Sequence, residues 1–178
     1  DLLPDHFSFV QGIVDTPDVS LNISREMLQH DRQLKVIANN IEKKVKSELV
    51  KLMKDNREKY EQFWAAFGMQ FKYALMNAYG NNRDTLRDLM LFWSSKEDKQ
   101  EYVDRMPESQ EKIYYVCADS VEHAAKMPQA ERVLKAGYEV LYLTVDEDEI
   151  VLQMLENAGG KPFVSVADEN ALPVTEEE

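Results

Sequence analysis

Arg25 sits where a helix does not favour a cation. In the run Leu21-Asn22-Ile23-Ser24-Arg25-Glu26-Met27-Leu28-Gln29 the serine is placed to cap a helix, which leaves the arginine in the first turn, opposed to the helix dipole. An arginine in that place is explained by an anion it is aimed at, because the planar guanidinium offers forked donors that match phosphate. An ion pair with Asp15, Asp18 or Glu26 explains it too, and since such pairs are common, the residues alone favour that second explanation.

The other residues with chemical potential form no reactive set. Cys117 closes a strand-like run with no evident histidine partner, and Ser24 and Ser120 read as helix caps. His6, His30 and His123 have no metal-ligand spacing, and the carboxylates show no spacing that singles out an acid and a base. A dinucleotide or P-loop site needs glycines in the first strand-to-helix turn. The turn here, Cys117-Ala118-Asp119-Ser120, has none and places a carboxylate where a phosphate would sit. Gly159-Gly160-Lys161 precedes a strand, so no helix terminus stands behind it to hold an anion. Chemistry alone describes a non-enzymatic α/β domain.

Several elements position these residues. The segment from His6 to Asp15 is rich in β-branched and aromatic residues and stops at Thr16-Pro17-Asp18, which predicts a strand whose sheet partners lie outside the chain. From Ser24, apolar residues at Met27, Leu28, Leu34, Ile37, Ile41, Val45, Leu49 and Leu52 recur every three or four positions, the period of a long amphipathic helix. Lys54-Asp55-Asn56 interrupts it. A second helix carries Tyr60, Phe63, Trp64, Phe67, Phe71 and Leu75 up to Gly80-Asn81-Asn82, and a third is predicted over 85–93. The aromatic stripe reads as the shared core of these helices.

Beyond a polar stretch from Ser94 to Gln100 and a short helical piece at 102–106, the pattern becomes β-α-β-α-β. Strands are expected at 113–117, 140–144 and 163–166, with a helix broken near Pro128 and another at about 147–157. That order predicts a small parallel sheet with right-handed crossovers. The fold class is therefore α/β, or α+β overall.

A net charge of −12 argues against nucleic acid as the main partner, because counterion release needs clustered Lys and Arg. The single cysteine gives no internal disulfide, and neither a membrane span nor a signal peptide is legible. A cytoplasmic, folded protein is expected.

The runs Phe9-Val10-Gln11-Gly12-Ile13-Val14-Asp15 and Leu21 to Gln29 closely resemble the middle-domain signature of the heat shock protein 90 chaperone family. Phe63-Trp64, Tyr102 to Met106, Glu111 to Tyr115, Glu139 to Leu143 and Gly160 to Phe163 extend the resemblance over nearly the whole chain, in a bacterial wording. The connector at 78–84 and the stretch 91–95 depart from the family's usual wording. The resemblance implies a fragment of a larger protein: the end of a large α/β subdomain with its catalytic loop at 1–24, a helical connector at 25–106, a small α/β subdomain at 107–167 and an acidic linker at 168–178.

In that family the arginine at the place of Arg25 reaches the γ-phosphate of ATP held by a separate ATPase domain, with Gln29 and Asn22 beside it, so ATP and magnesium belong to the full-length protein and none to this fragment. The resemblance also implies client binding, by unfolded or partly folded proteins, through Glu149, Ile150, Gln153 and Met154, although some bacterial relatives carry tryptophan where Ile150 stands. The implied partners are clients and the protein's own ATPase and dimerisation domains, with a monomeric fragment and a homodimeric parent. A module that only links other domains, with no client surface, is the competing class of function.

Overall fold

The computed structural model describes residues 2–17, 32–96 and 102–173. The chain divides into two compact units, Asp1–Ala74 and Leu75–Glu178. The expected start of the long helix at Ser24 lies outside the described residues.

In the first unit, helix α1 (Arg32–Asp55) is followed at once by α2 (Arg57–Asn77). Leu34, Ile37, Ile41, Val45, Leu49 and Leu52 all lie on the buried or half-buried side of α1, as their spacing requires. The break falls at Asn56. Its side-chain Oδ1 accepts the Lys59 amide at 3.1 Å and so caps the start of α2.

The strand expected over His6–Asp15 is not formed. Asp5–Phe7 make a single 3-10 turn, and residues 8–17 run on without a regular element. The reason is physical: a strand needs a ladder partner for its amides and carbonyls, and the described part of this unit offers none. The aromatic side chains take a different use. Phe9 packs on Phe67 and Phe63 at 5.0 and 5.1 Å between ring centroids, and Phe7 meets Phe71 edge-on at 5.8 Å. Tyr60 and Phe71 of the α2 stripe are buried and Phe63, Trp64 and Phe67 half-buried, and the packing partner of the stripe is the chain's opening segment.

His6 is drawn into the same cluster, only 6% exposed, with its ring 4.4 Å from Phe7 and 5.7 Å from Phe71. Its Nε2 is buried with no hydrogen-bond partner. Burial pushes its pKa below the ordinary histidine value, and the Asp5 carboxylate only partly opposes this. Because the folded pKa is the lower one, the neutral ring's contribution is fully present above the unfolded histidine pKa and is lost as pH falls below it toward the folded value. Melting curves of the chain and of His6→Phe should therefore separate between about pH 7.5 and about pH 5.5, with the variant losing less stability on acidification. Parallel loss in both would show that the imidazole does not titrate in this cluster.

The second unit starts at Leu75 in the last turn of α2 and continues with a short helix, α3 (Arg83–Leu86), and a 3-10 turn at Arg87–Leu89. The helix predicted over 85–93 thus ends early, and Trp93–Ser94 form strand β1. The apolar run from Leu89 to Trp93 satisfies a helical or an extended period equally, and the open edge of the sheet takes its last residues. After α4 (Tyr102–Arg105) come β2 (Ile113–Cys117), α5 (Val121–Lys126), α6 (Pro128–Lys135), β3 (Val140–Leu143), α7 (Asp146–Leu155), β4 (Asn157–Ala158) and β5 (Lys161–Ser165). The break between α5 and α6 puts Pro128 at the first helical position, where its missing N–H costs nothing.

The sheet order is β1-β3-β2-β5-β4. Its centre is parallel as expected, β2 pairing with β3 and β5, but both edges are antiparallel: β1 on β3, with Trp93 opposite Tyr142, and β4 on β5. Gly159 and Gly160, both at positive φ (+57° and +77°), make the two-residue turn between β4 and β5. Side-chain alternation splits the strands. Tyr114, Val116, Val140 and Tyr142 bury themselves with Ala124, Ala130 and Val133 under α5 and α6. The opposite face, carrying Tyr115, Cys117 and Leu143, receives α7.

Candidate functional site

Helix α7 starts with Asp146, Glu147, Asp148 and Glu149, which complement the positive end of its dipole. Asp148, Val151, Leu152 and Leu155, at helical spacing, are its buried side. The remaining face carries Ile150, 45% exposed, with Gln153 exposed and Met154 half-buried beside it. The spacing of three and four places these three together.

Glu149 behaves differently from its neighbours. It is half-buried, and the Tyr115 hydroxyl donates to its Oε1 at 3.1 Å. Burial, reinforced by this carboxylate, pushes the Tyr115 hydroxyl up to about 12. The Cys117 thiol, two residues along the same strand face, is pushed up to about 11 by burial and then by Glu149, Asp148 and Asp146. A thiol pushed up in this way is a poor nucleophile at neutral pH. Of the four residues that the resemblance assigned to this face, then, Ile150 and Gln153 are exposed and Met154 is half-buried, while Glu149 is also a tie between helix and sheet.

What ends α7 was not legible in the sequence. The helix has no basic residue in its last turn. Arg87 supplies one from α3's side of the unit, its Nη2 donating to the Leu155 carbonyl at 3.0 Å and its Nε to the Asn157 carbonyl at 2.8 Å. Arg83 pairs with Glu156. The one available signal was the missing cation at the helix end, and it does not say which distant residue provides it.

The turn between β2 and α5 is built to close a helix. Ser120 Oγ accepts the His123 amide at 3.1 Å, and the Asp119 carboxylate bonds His123 Nδ1 at 2.6 Å, which together with the imidazole's charge holds Asp119 below the usual carboxylate range. With Asp119 at its mouth and only six residues in α5, the turn forms no phosphate cradle. Among the described residues no group of three or more His, Cys, Asp or Glu side chains is placed to hold a metal ion, and no helix is long and apolar enough to cross a membrane. Asn22, Arg25 and Gln29 lie outside the described residues, as do Asp18 and Glu26.

Comparison with known proteins gives a consistent picture. The family model described as "Hsp90 protein" matches residues 1–178. Chaperone protein HtpG of Bacillus subtilis (strain 168) is 58% identical over 171 residues, covering 94% of this chain and 27% of its own length. The proteins of the same name from Oceanobacillus iheyensis and Clostridium botulinum (strain Langeland) are 57% and 56% identical over the same lengths. The chain thus spans about a quarter of the curated relatives it matches.

Proposed function

Because this chain belongs to the Hsp90 protein family, we propose that it is a middle segment of an ATP-dependent molecular chaperone and that the outer face of α7 holds partly folded client polypeptides. The observation that carries this is the contrast along one helix: Val151, Leu152 and Leu155 are 0–2% exposed, whereas Ile150 is 45% exposed next to Gln153 and Met154. A small, mixed patch with an adaptable methionine suits weak binding to many sequences. Glu149, held by Tyr115, gives this patch a fixed acidic border.

In the same reading Asn22, Arg25 and Gln29 serve ATP and its magnesium, which are bound by another domain of the full-length protein, and this chain alone neither binds nor hydrolyses nucleotide. Arg25 brings a planar cation to the γ-phosphate when the domains close, stabilising charge that develops there. The full-length protein is a cytoplasmic homodimer joined outside this segment.

Ile150→Asp tests the client face. Titrated with reduced, carboxymethylated α-lactalbumin as a permanently unfolded probe, the chain should lose affinity by about tenfold, or about 1.4 kcal/mol, with its melting temperature nearly unchanged. Equal affinity in parent and variant would leave α7 a purely structural helix and favour a module that only links other domains.

A further inference from the structure

Helix α7 opens with four carboxylates and closes with none of its own cations, and the residue after it, Glu156, adds another negative charge at the dipole's negative end. Glu156 also sits at φ +65°, a positive value that residues with a side chain rarely adopt. By its own sequence this helix end is poorly held. Its last carbonyls need donors from elsewhere.

Those donors come from the segment that directly follows α2. Arg87 spans two carbonyls at once, Leu155 and Asn157, so a single guanidinium bridges the last residue of α7 and the first of β4. Its third nitrogen donates to Asp84 Oδ1 at 2.8 Å, which aims the fork. Arg83 pairs with Glu156 and returns a bond from Nε to the Gly80 carbonyl at 2.8 Å. Gly80 itself lies against the helix end, where a Cβ would stand 3.1 Å from the Met154 carbonyl oxygen. The arginine side chains are only 20% and 28% exposed.

We propose that Arg87, assisted by Arg83, is the positioning residue of the α7 face: it fixes the end of the helix that carries Gln153 and Met154 and ties it to the segment leaving α2. This rests on the assignment of α7 as the client face. Arginine is required because one planar fork must reach two carbonyls belonging to different elements, and a lysine ammonium offers no such fixed pair of directions.

The test measures two things on the chain and its Arg87→Lys variant: affinity for reduced, carboxymethylated α-lactalbumin, and hydrogen exchange of amides 153–157. We expect exchange at the helix end to rise and affinity to fall about five- to tenfold, while the amides of Tyr114–Val116 stay protected. Faster exchange with unchanged affinity would overturn the proposal, leaving Arg87 a structural cap. Ile150→Asp, measured alongside, separates the two levels: if it too leaves affinity unchanged, the client face itself is wrong and the positioning role falls with it. Should Arg87→Lys lose protection throughout the sheet, Arg83→Gln, which leaves the Arg87 bonds in place, supplies the same two readouts, and unchanged affinity there overturns the proposal equally.

Discussion

Glu139→Ala is expected to destabilise the second unit by about 3–5 kcal/mol, enough to unfold a marginally stable domain at moderate temperature. Glu139 is 5% exposed and the Arg105 side chain 9%. Arg105 Nε donates to Glu139 Oε2 at 2.8 Å, its Nη2 pairs with Oε1, and the Ser94 hydroxyl donates to that same oxygen. The Glu139 carbonyl accepts from the Tyr102 hydroxyl at 2.6 Å, and that hydroxyl in turn accepts from Gln110 Nε2 at 3.0 Å. The cluster joins β1, α4 and the start of β3. Burial, the larger influence, pushes the Tyr102 hydroxyl up to about 12.

Removing the carboxylate leaves a guanidinium in a dry site, which costs more than the pair contributes over an apolar substitute. The double replacement Arg105→Met with Glu139→Leu should therefore recover most of the loss. Urea unfolding of the two variants decides the matter. A single-variant loss below about 1 kcal/mol would place this pair with ordinary solvated ones.

Arg25→Ala, made in the full-length chaperone, is expected to lower ATP turnover by about 10²–10³-fold, with nucleotide affinity retained. Retained affinity is the informative part. It separates a donor that meets developing charge from one that merely binds ATP. Arg25→Lys should restore little, because the charge returns without the planar fork. The competing explanation, an ion pair with Asp15, Asp18 or Glu26, predicts the reverse pattern: a loss of thermal stability in the Ala variant and unchanged turnover.

The elements legible in the sequence are those with one dominant period. The apolar stripe of α1 and the interruption after Lys54-Asp55 follow from local residue types, as do the Ser120 cap, the break at Pro128 and the turn at Gly159-Gly160. The failures share a cause. His6–Asp15 has the composition of a strand, yet composition cannot supply the partner a strand needs, and the segment became an aromatic plug on α2. Trp93 continues a helical series in sequence, yet its backbone was taken by the edge of β3.

The candidate site divides in the same way. Ile150, Gln153 and Met154, which the family resemblance singled out, share a face because helical geometry puts residues three and four apart together. That Glu149 is tied to Tyr115 and lies by Cys117, that Arg87 reaches residues 68 and 70 positions away, and that Glu139 is buried on Arg105 depends on contacts between segments distant along the chain. The sequence by itself determined the family, through motifs whose order is a local property, and the long helices α1 and α2, through hydrophobic period. Only tertiary structure decided which strands lie at the edges, where the opening segment docks and what holds the end of α7, because hydrogen-bond partners and buried charges are chosen by spatial neighbours.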